Sequence, residues 1–424
     1  MVTSMLPYPR AMSGGALVMY GQLATLTAHH EVTLATLAGA DPAEKKAVDG
    51  LRASGINVHY VWRSWPSGTE LWRRRLRDAI GWLRGGRPLR ALQFFEPRIQ
   101  RLLDQLLSEQ RFDLLQIEDN AMGNYCYRTQ IPIVFTEHEV RWAVPPDGEV
   151  GGKIKWIQRT LDKAEGRRWR AYQLSVWRRF DRIQVFTPRD ATIIQSMAPE
   201  VFDRVRVNPF GVVIPQPTYV DREEPGTVVF AGGFGHAPNV HAALWLASEI
   251  MPRLRALRPG VRLSIIGANP TKAVQALASE DIAVMANVPA VEPFLERAAV
   301  VLAPVRTGGG MRVKVLQAMA LGKAVVTTTL GAEGLAVTES QPPIVVAKDA
   351  DEIAHMTAAL LAADDTRREL GRRARAYVTE HFSWAAYGRR LDEIYSELQP
   401  SQASDSVAGN TGRSMTRVRA GVPQ

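Results

Sequence analysis

Residues 303–335 read APVRTGGGMRVKVLQAMALGKAVVTTTLGAEGL, and the order of apolar runs, glycines and cations within them decides the fold class. The apolar run Ala299 to Pro304 reads as a buried strand. It ends in Thr307-Gly308-Gly309-Gly310, where glycines let the backbone turn sharply and approach a ligand closely. The spacing of Val313, Leu316, Ala320 and Leu321 then predicts a helix opening at about Met311. Gly322-Lys323 stops that helix, and Ala324 to Thr327 makes a second buried strand. A glycine loop entering a helix N-terminus offers unpaired N–H groups and a positive dipole end, which suits phosphate. Arg312 and Lys314 fall in the first turn, where cations oppose the dipole unless an anion is present. An ordinary strand–loop–helix with both cations solvated fits the same residues.

Outward from this stretch, strand and helix patterns alternate. Val32 to Leu37 reads as a strand preceded by a helix from Leu17 to His29. Apolar runs recur at Leu114 to Ile117, Ile133 to Phe135 and Ile183 to Phe186. The pattern restarts with Thr227 to Ala231, Leu263 to Gly267, Ala299 to Pro304 and Ala324 to Thr327. Such alternation argues for α/β architecture with parallel sheets covered on both faces. The proline-bearing polar stretch Pro215 to Gly226 separates the two sets. The expected division is a first Rossmann-like domain over 1–214, a linker at 215–226 and a second domain over 227–384. A last helix over 385–398 carries Leu391, Ile394 and Tyr395 on one face. The Ser/Gly/Thr-rich tail from 399 to 424 reads as disordered. Only Met1 to Leu6 precedes the Pro7-Tyr8-Pro9 turn, so the first strand is expected to be short or the start late.

The chain has 424 residues, 46 % of them hydrophobic and 22 % charged, which fits two domains of ordinary globular composition. No apolar run reaches membrane-spanning length, and no secretory signal opens the chain, so the cytoplasm is the expected location. One cysteine, Cys126, excludes an internal disulfide framework and a cysteine-based metal site. The net charge is +9, but residues 1–210 hold 30 Lys and Arg against 22 Asp and Glu, so nearly all the excess is in the first half. It concentrates in Trp72 to Arg90 and in Lys153 to Arg182. In the first of these, Trp72, Leu76, Ile80 and Leu83 share one helical face, with Arg73, Arg74, Arg77 and Arg84 beside or opposite it. That pattern reads as an interfacial helix for an anionic membrane surface. The competing reading packs the apolar face into the first domain and leaves the arginines solvated. Nucleic acid is not expected, because no recognition module accompanies the charge.

Gly308-Gly309-Gly310-Met311-Arg312-Val313-Lys314-Val315-Leu316-Gln317-Ala318-Met319-Ala320 resembles the donor-site signature of the family 4 retaining glycosyltransferases, in the subgroup whose loop reads G-G-G-x-R-x-K-x-L-E-A-M-A. Further similar pieces follow the family's order: Leu6 to Pro9 with Gly14-Gly15, Thr136 to Glu139, and Asn208 to Val212. Phe230 to Gly233 with Pro238-Asn239, Ile265 to Gly267, and Gly331 to Leu335 complete the series. The resemblance covers roughly residues 1–397. It implies the GT-B fold, two Rossmann-like domains facing across a cleft, with the last helix crossing back to the first domain. It implies transfer of a sugar from a nucleotide diphosphate sugar to a glycan or lipid-linked acceptor, without metal or other cofactor. Cell-surface polysaccharide or glycolipid synthesis, peripheral to the inner face of the membrane, is the setting it suggests.

The resemblance also assigns roles. His138, Arg312 and Lys314 become catalytic candidates, and Gly14, Gly15, Gly232, Gly233, Gly308, Gly309, Gly310, Gln317 and Glu333 donor-binding ones. His138 would face the donor sugar; a purely structural histidine is the alternative. Its neighbours do not form H-E-x-x-H, so zinc is not expected. Gln317 stands where the family places a glutamate on the ribose, and an amide accepts without the charge that strengthens such bonds. Relatives carry an Arg and a Lys after the strand at Phe230, where this chain has Phe234 to Asn239; Arg312 and Lys314 would replace those cations. Asn239 is expected to cap a helix beginning near Val240. Asp349-Ala350-Asp351 mimics a metal-binding pair but precedes helical spacing, so it is expected to cap a helix. Two other readings stay open. One is a binding protein that lost turnover, motivated by Gln317, and the other is a nucleotide-sugar epimerase of the same fold.

Overall fold

The computed structural model describes residues 1–9, 14–39, 41–63, 68–85, 87–140, 155–216, 222–308, 311–337 and 341–398. Gly309, Gly310, Lys153, residues 217–221 of the expected linker and the tail from 399 lie outside them.

Seven parallel strands form the first sheet: β1 (Val2–Thr3), β2 (Thr33–Gly39), β3 (Asn57–Arg63), β4 (Leu115–Glu118), β5 (Ile133–Glu137), β6 (Arg182–Val185) and β7 (Val205–Val207). Their order across the sheet is β3-β2-β1-β4-β5-β6-β7. Six more form a second parallel sheet: β8 (Thr227–Ala231), β9 (Arg262–Gly267), β10 (Ile282–Ala286), β11 (Val300–Ala303), β12 (Ala324–Thr328) and β13 (Val345–Ala347). Its order is β10-β9-β8-β11-β12-β13. In each sheet the chain winds outward from its first strand, then returns to the other side of it. The order therefore reverses between β1 and β4 and again between β8 and β11. Open α/β sheets bind ligands beyond the carboxyl ends of their strands at such reversals.

Helices cover both faces, so the central strands are buried on both sides: those of the second sheet are nearly all apolar, whereas β4, β5 and β6 interleave apolar residues with the buried Gln116, Glu118, Thr136, Glu137 and Gln184. Ile117, Phe135 and Ile183 anchor the core of the first sheet, and Val228, Phe230, Ile265 and Leu302 that of the second. Each such side chain contributes about 1.5–3 kcal/mol by leaving water. A further cluster of buried side chains includes Phe186 and Phe210 with Val229, Ile266, Val301, Leu316 and Phe382. It joins the two halves of the chain.

The last helix, Trp384–Ser396, follows the helix Asp364–Phe382 and returns to the first half. The indole of Trp384 lies where only glycine leaves room. A Cβ on Gly21 would sit 1.9 Å from it, and one on Gly211 2.5 Å away. Buried Tyr387 accepts hydrogen bonds from Gln22 and Gln184, and Tyr395 donates to Gln116.

Several boundaries differ from the sequence reading. The first strand has only two residues, and the helix expected from Leu17 opens at Gly14 and ends at Leu26. The helix expected from Met311 runs Val313–Ala320. Val313, expected on its buried face, is exposed, and Val315, Leu316, Ala318 and Met319 fill the core instead. No helix among the described residues is long and apolar enough to cross a membrane.

Candidate functional site

In the second half, β8 ends at Gly232-Gly233 and β11 runs into Thr307-Gly308. Gly267, at the end of β9, admits no side chain, since a Cβ there would lie 1.8 Å from the Gly232 carbonyl oxygen. Gly308 has φ +92°, a left-handed conformation that glycine alone adopts without strain. A Cβ on Gly233 would point into open space, so its backbone stays accessible to a ligand. The Thr307 hydroxyl is buried and finds no partner among the described residues.

Arg312 occupies the N-cap of Val313–Ala320, with Lys314 at the helix's second position. The sequence reading treats both as cations awaiting an anion; Arg312 also has partners within the chain. Its guanidinium donates to the carbonyls of Leu330 (Nε, 3.1 Å) and Gly308 (Nη2, 3.0 Å) and lies 3.8 Å from the Glu333 carboxylate. Carbonyls and a carboxylate thus supply internally much of the negative character that the dipole argument requires.

Lys314 is different. Its ammonium donates to the neutral Asn239 amide and lies 5.1 Å from the centre of the Phe230 ring. Burial, with the positive charge of Arg312 behind it, pushes the ammonium down to about 8 from an ordinary 10.5. Asn239 itself does not cap a helix. The helix opens at Ala237, three residues earlier than expected, and Asn239 donates to the Gly233 carbonyl while accepting from Lys314.

In the first half, the residues gather after β4 and β5. Nε2 of His138 lies 2.8 Å from Oε2 of the fully buried Glu118. The other oxygen of that carboxylate accepts from Thr136 and Gln116. Burial alone would lower the His138 imidazole, but the hydrogen bond and charge of Glu118, with Asp119 and Glu137 nearby, outweigh it and raise it. Glu137 points the other way, as alternation along an extended segment requires. It accepts from Trp177, Gln173 and Asn120, while burial still pushes its carboxyl up to about 7. Asp119 follows β4 with φ +76°, rare for a non-glycine residue, and is held by bonds from Ser4 and the Ala121 N–H.

The two sets meet. Glu333, after β12, lies 3.3 Å from Arg189 at the start of the helix after β6, and so links Arg189 to Arg312. A Cβ on Gly334 would lie 3.0 Å from Thr187 of the first half. Gly14 opens its helix with nothing within 4 Å of a Cβ, and Gly15 follows in the first turn. Gln317 is exposed. Asp349 caps the helix Ala350–Ala362 as expected, accepting from Glu352 N–H. Among the described residues no three His, Cys, Asp or Glu gather as a metal would need. Two open clefts elsewhere in the first half, of about 280 and 360 Å³, are lined by other residues than His138, Arg312 and Lys314.

The sequence reading missed Glu118, Asp119 and Arg189. The available signal was position, because Glu118-Asp119 ends the strand beside the reversal in the first sheet. Their partners, however, lie 20 to 144 residues away, at His138, Ser4 and Glu333.

Residues 225–363 match the family model described as Glycosyl transferases group 1. No curated protein matches the chain significantly in sequence. Solved structures similar to it include a glycosyltransferase from Rickettsia africae, at TM-score 0.61 and 12 % identity over 95 % of this chain and 99 % of that one. The sucrose-phosphate synthase from Thermosynechococcus elongatus aligns at TM-score 0.62 and 14 % identity, covering 93 % of this chain and 98 % of that one. HepE from Anabaena, in complex with UDP and glucose, aligns at TM-score 0.59 and 13 % identity over 92 % and 98 % of the two chains. At these identities the likeness is one of fold. Two Rossmann-like domains face each other across a cleft, with a last helix crossing back, in the GT-B arrangement.

Proposed function

We propose that this chain is a retaining glycosyltransferase that moves a sugar from a nucleotide diphosphate sugar to a glycan or lipid-linked acceptor. The observation that carries the reading is Lys314. It is a half-buried ammonium at a helix N-terminus beside a glycine loop, and it faces a neutral amide and a second cation instead of a carboxylate. A diphosphate supplies the missing negative charge. The match of residues 225–363 to glycosyl transferases group 1 supports the same chemistry. The division into domains at 215–226 belongs to this reading, the second domain holding the donor and the first the acceptor.

In the transfer, the bond from the sugar's anomeric carbon to the diphosphate oxygen breaks, and a bond to the acceptor oxygen forms on the same face. The acceptor proton passes to the departing diphosphate oxygen. Lys314, Arg312 and the N–H groups of the loop from Gly308, with those at Gly232-Gly233 and Gly14-Gly15, hold the charge that develops there. His138, oriented by Glu118, faces the sugar, Gln317 the ribose, and Glu333 keeps Arg312 in place. No metal or resident cofactor takes part in this scheme. With a lipid-linked acceptor, the enzyme would work peripherally on the inner face of the cell membrane.

Incubation with a panel of UDP- and GDP-sugars tests the reading. Slow release of the nucleoside diphosphate from one donor, faster with acceptor, is expected, with the anomeric configuration retained. Binding without release would instead favour a binding protein whose Gln317 no longer supports turnover, and interconversion of the donor sugar would favour an epimerase.

A further inference from the structure

The helix Gly68–Gly85 is turned inside out. A helix on a globular surface normally buries its apolar stripe and exposes its charges. Here Trp72, Leu76, Ile80 and Leu83, which share one face, are 71, 63, 41 and 69 % exposed. The opposite face carries the helix's contacts with the protein. Asp78 is 6 % exposed and pairs with Arg74 and Arg77. Arg74 also donates to the Gln93 carbonyl. Trp82 donates to Glu165 at 2.5 Å and carries the Arg168 guanidinium 3.7 Å over its ring. A Cβ on Gly81 would meet Leu92 at 3.5 Å. The polar face is thus tied down by named bonds, and the apolar face is left to solvent.

Charge frames this stripe. At 100° per residue, Arg73, Arg77 and Arg84 flank one side of it and Arg75 the other. Beside it, Arg73, Arg74, Arg77 and Arg98 line a cavity of about 360 Å³ together with Glu70 and Glu96. Glu96 pairs with Arg98, and the single carboxylate of Asp78 serves both Arg74 and Arg77, so the arginines still outnumber the acids. In the second arginine-rich segment Trp169 and Trp177 are instead buried, while Arg167, Arg170 and Arg178 stay exposed and Arg179 bonds the carbonyls of Gly123 and Tyr125.

We propose that this face docks onto an anionic phospholipid bilayer, with Trp72, Leu76, Ile80 and Leu83 entering the acyl boundary and the arginine-lined cavity taking a lipid phosphate. The proposal rests on the lipid-linked acceptor reading for its purpose. Charge complementarity selects the occupant: apolar side chains with arginines on both flanks match acyl chains beneath anionic headgroups. A second copy of the chain would bring the same arginines against these. Nucleic acid would leave the leucine and isoleucine surface without a matching partner.

The test is co-sedimentation of the full chain with vesicles of phosphatidylcholine alone or mixed with phosphatidylglycerol, at low and high salt. Two variants, Trp72→Ser/Leu76→Ser/Leu83→Ser and Arg73→Glu/Arg84→Glu, are compared with Leu257→Ser, another exposed leucine in the second half. Wild type and Leu257→Ser should bind the anionic vesicles and release them at high salt. The arginine variant should bind at least about tenfold more weakly, from about 1 kcal/mol per basic residue. The serine variant should lose binding at both salt concentrations. Unfolding midpoint and nucleotide affinity, measured on each variant, should match wild type. Absence of vesicle binding by wild type would overturn the proposal. So would equal binding to neutral vesicles, capture of a single-stranded oligonucleotide in place of vesicles, or a dimer that the serine variant dissociates. Vesicle binding without donor turnover would leave this surface standing and remove the transferase reading; turnover without vesicle binding would do the reverse.

Discussion

Lys314 holds its proton less tightly folded than unfolded, because burial and Arg312 set its folded value at about 8 against an ordinary 10.5. The sign follows directly. Below pH 8 both states are charged and the folded state bears the whole cost; from pH 8 to 10.5 that cost fades as the folded lysine loses its proton first. Lys314→Met is therefore expected to raise stability at pH 7 by about 1–2 kcal/mol, within the scale of 1.36 kcal/mol per pKa unit. Chemical denaturation at pH 7 and pH 10.5 checks this; a variant less stable than wild type at pH 7 would show that the ammonium is already well compensated. His138 has the opposite sign. Its raised imidazole contributes stability that is fully present below pH 6.5 and is lost as pH rises through the folded value. Glu118→Gln removes the carboxylate that raises it, and NMR titration should show the imidazole titrating lower than in wild type. An unchanged titration would mean that Glu118 only fills space.

At the scale of elements, the central strands were legible and the edges were not. β5, β6, β8, β11 and β12 are buried along most or all of their length, so their apolar residues stand out as runs. β3 and β10 lie at sheet edges and are half-buried. β3 carries His59, Tyr60 and Trp62 in a pattern with no apolar run to find. β7 and β13, also at edges, have three residues each. The helix at Gly14 opens on two glycines, poor helix formers, without an acidic first turn, so the apolar spacing marks it only from Leu17. The last helix stands out from Leu391, Ile394 and Tyr395 and its crossing from the family resemblance, but its anchor does not. Trp384 fits only because Gly21 and Gly211 carry no Cβ, and that needs contacts hundreds of residues apart. Gly21→Ala should cost about 1–3 kcal/mol by overpacking. Gly50→Ala, in a helix with nothing within 4 Å, should be neutral or gain about 0.4–1 kcal/mol. Equal unfolding midpoints for Gly21→Ala and wild type would mean that the indole is not held where it is drawn.

Across the whole molecule, two sheets are wound in the same order, the candidate residues collect at the strand ends of each, and the halves meet where Arg189 and Thr187 approach Glu333 and Gly334. The glycine loop and its cations were legible because they are contiguous in sequence. In the first half the sequence points to His138, Gly14 and Gly15, whereas the Glu118 carboxylate behind His138 and the Arg189–Glu333–Arg312 chain depend on tertiary approach. The excess charge of residues 1–210 was visible in composition, whereas which arginines face inward required the packing.

The central claim is that the loop at Gly308 and Lys314 hold a nucleoside diphosphate. Calorimetric titration of UDP, GDP and UMP into wild type and Lys314→Met at pH 7 tests it most directly. One diphosphate should bind and its monophosphate much more weakly. The variant should lose about 1.5–3 kcal/mol, the range for hydrogen bonds to charged groups, while staying folded. Equal affinity of variant and wild type for the diphosphate, or no binding of either diphosphate to wild type, would contradict the account.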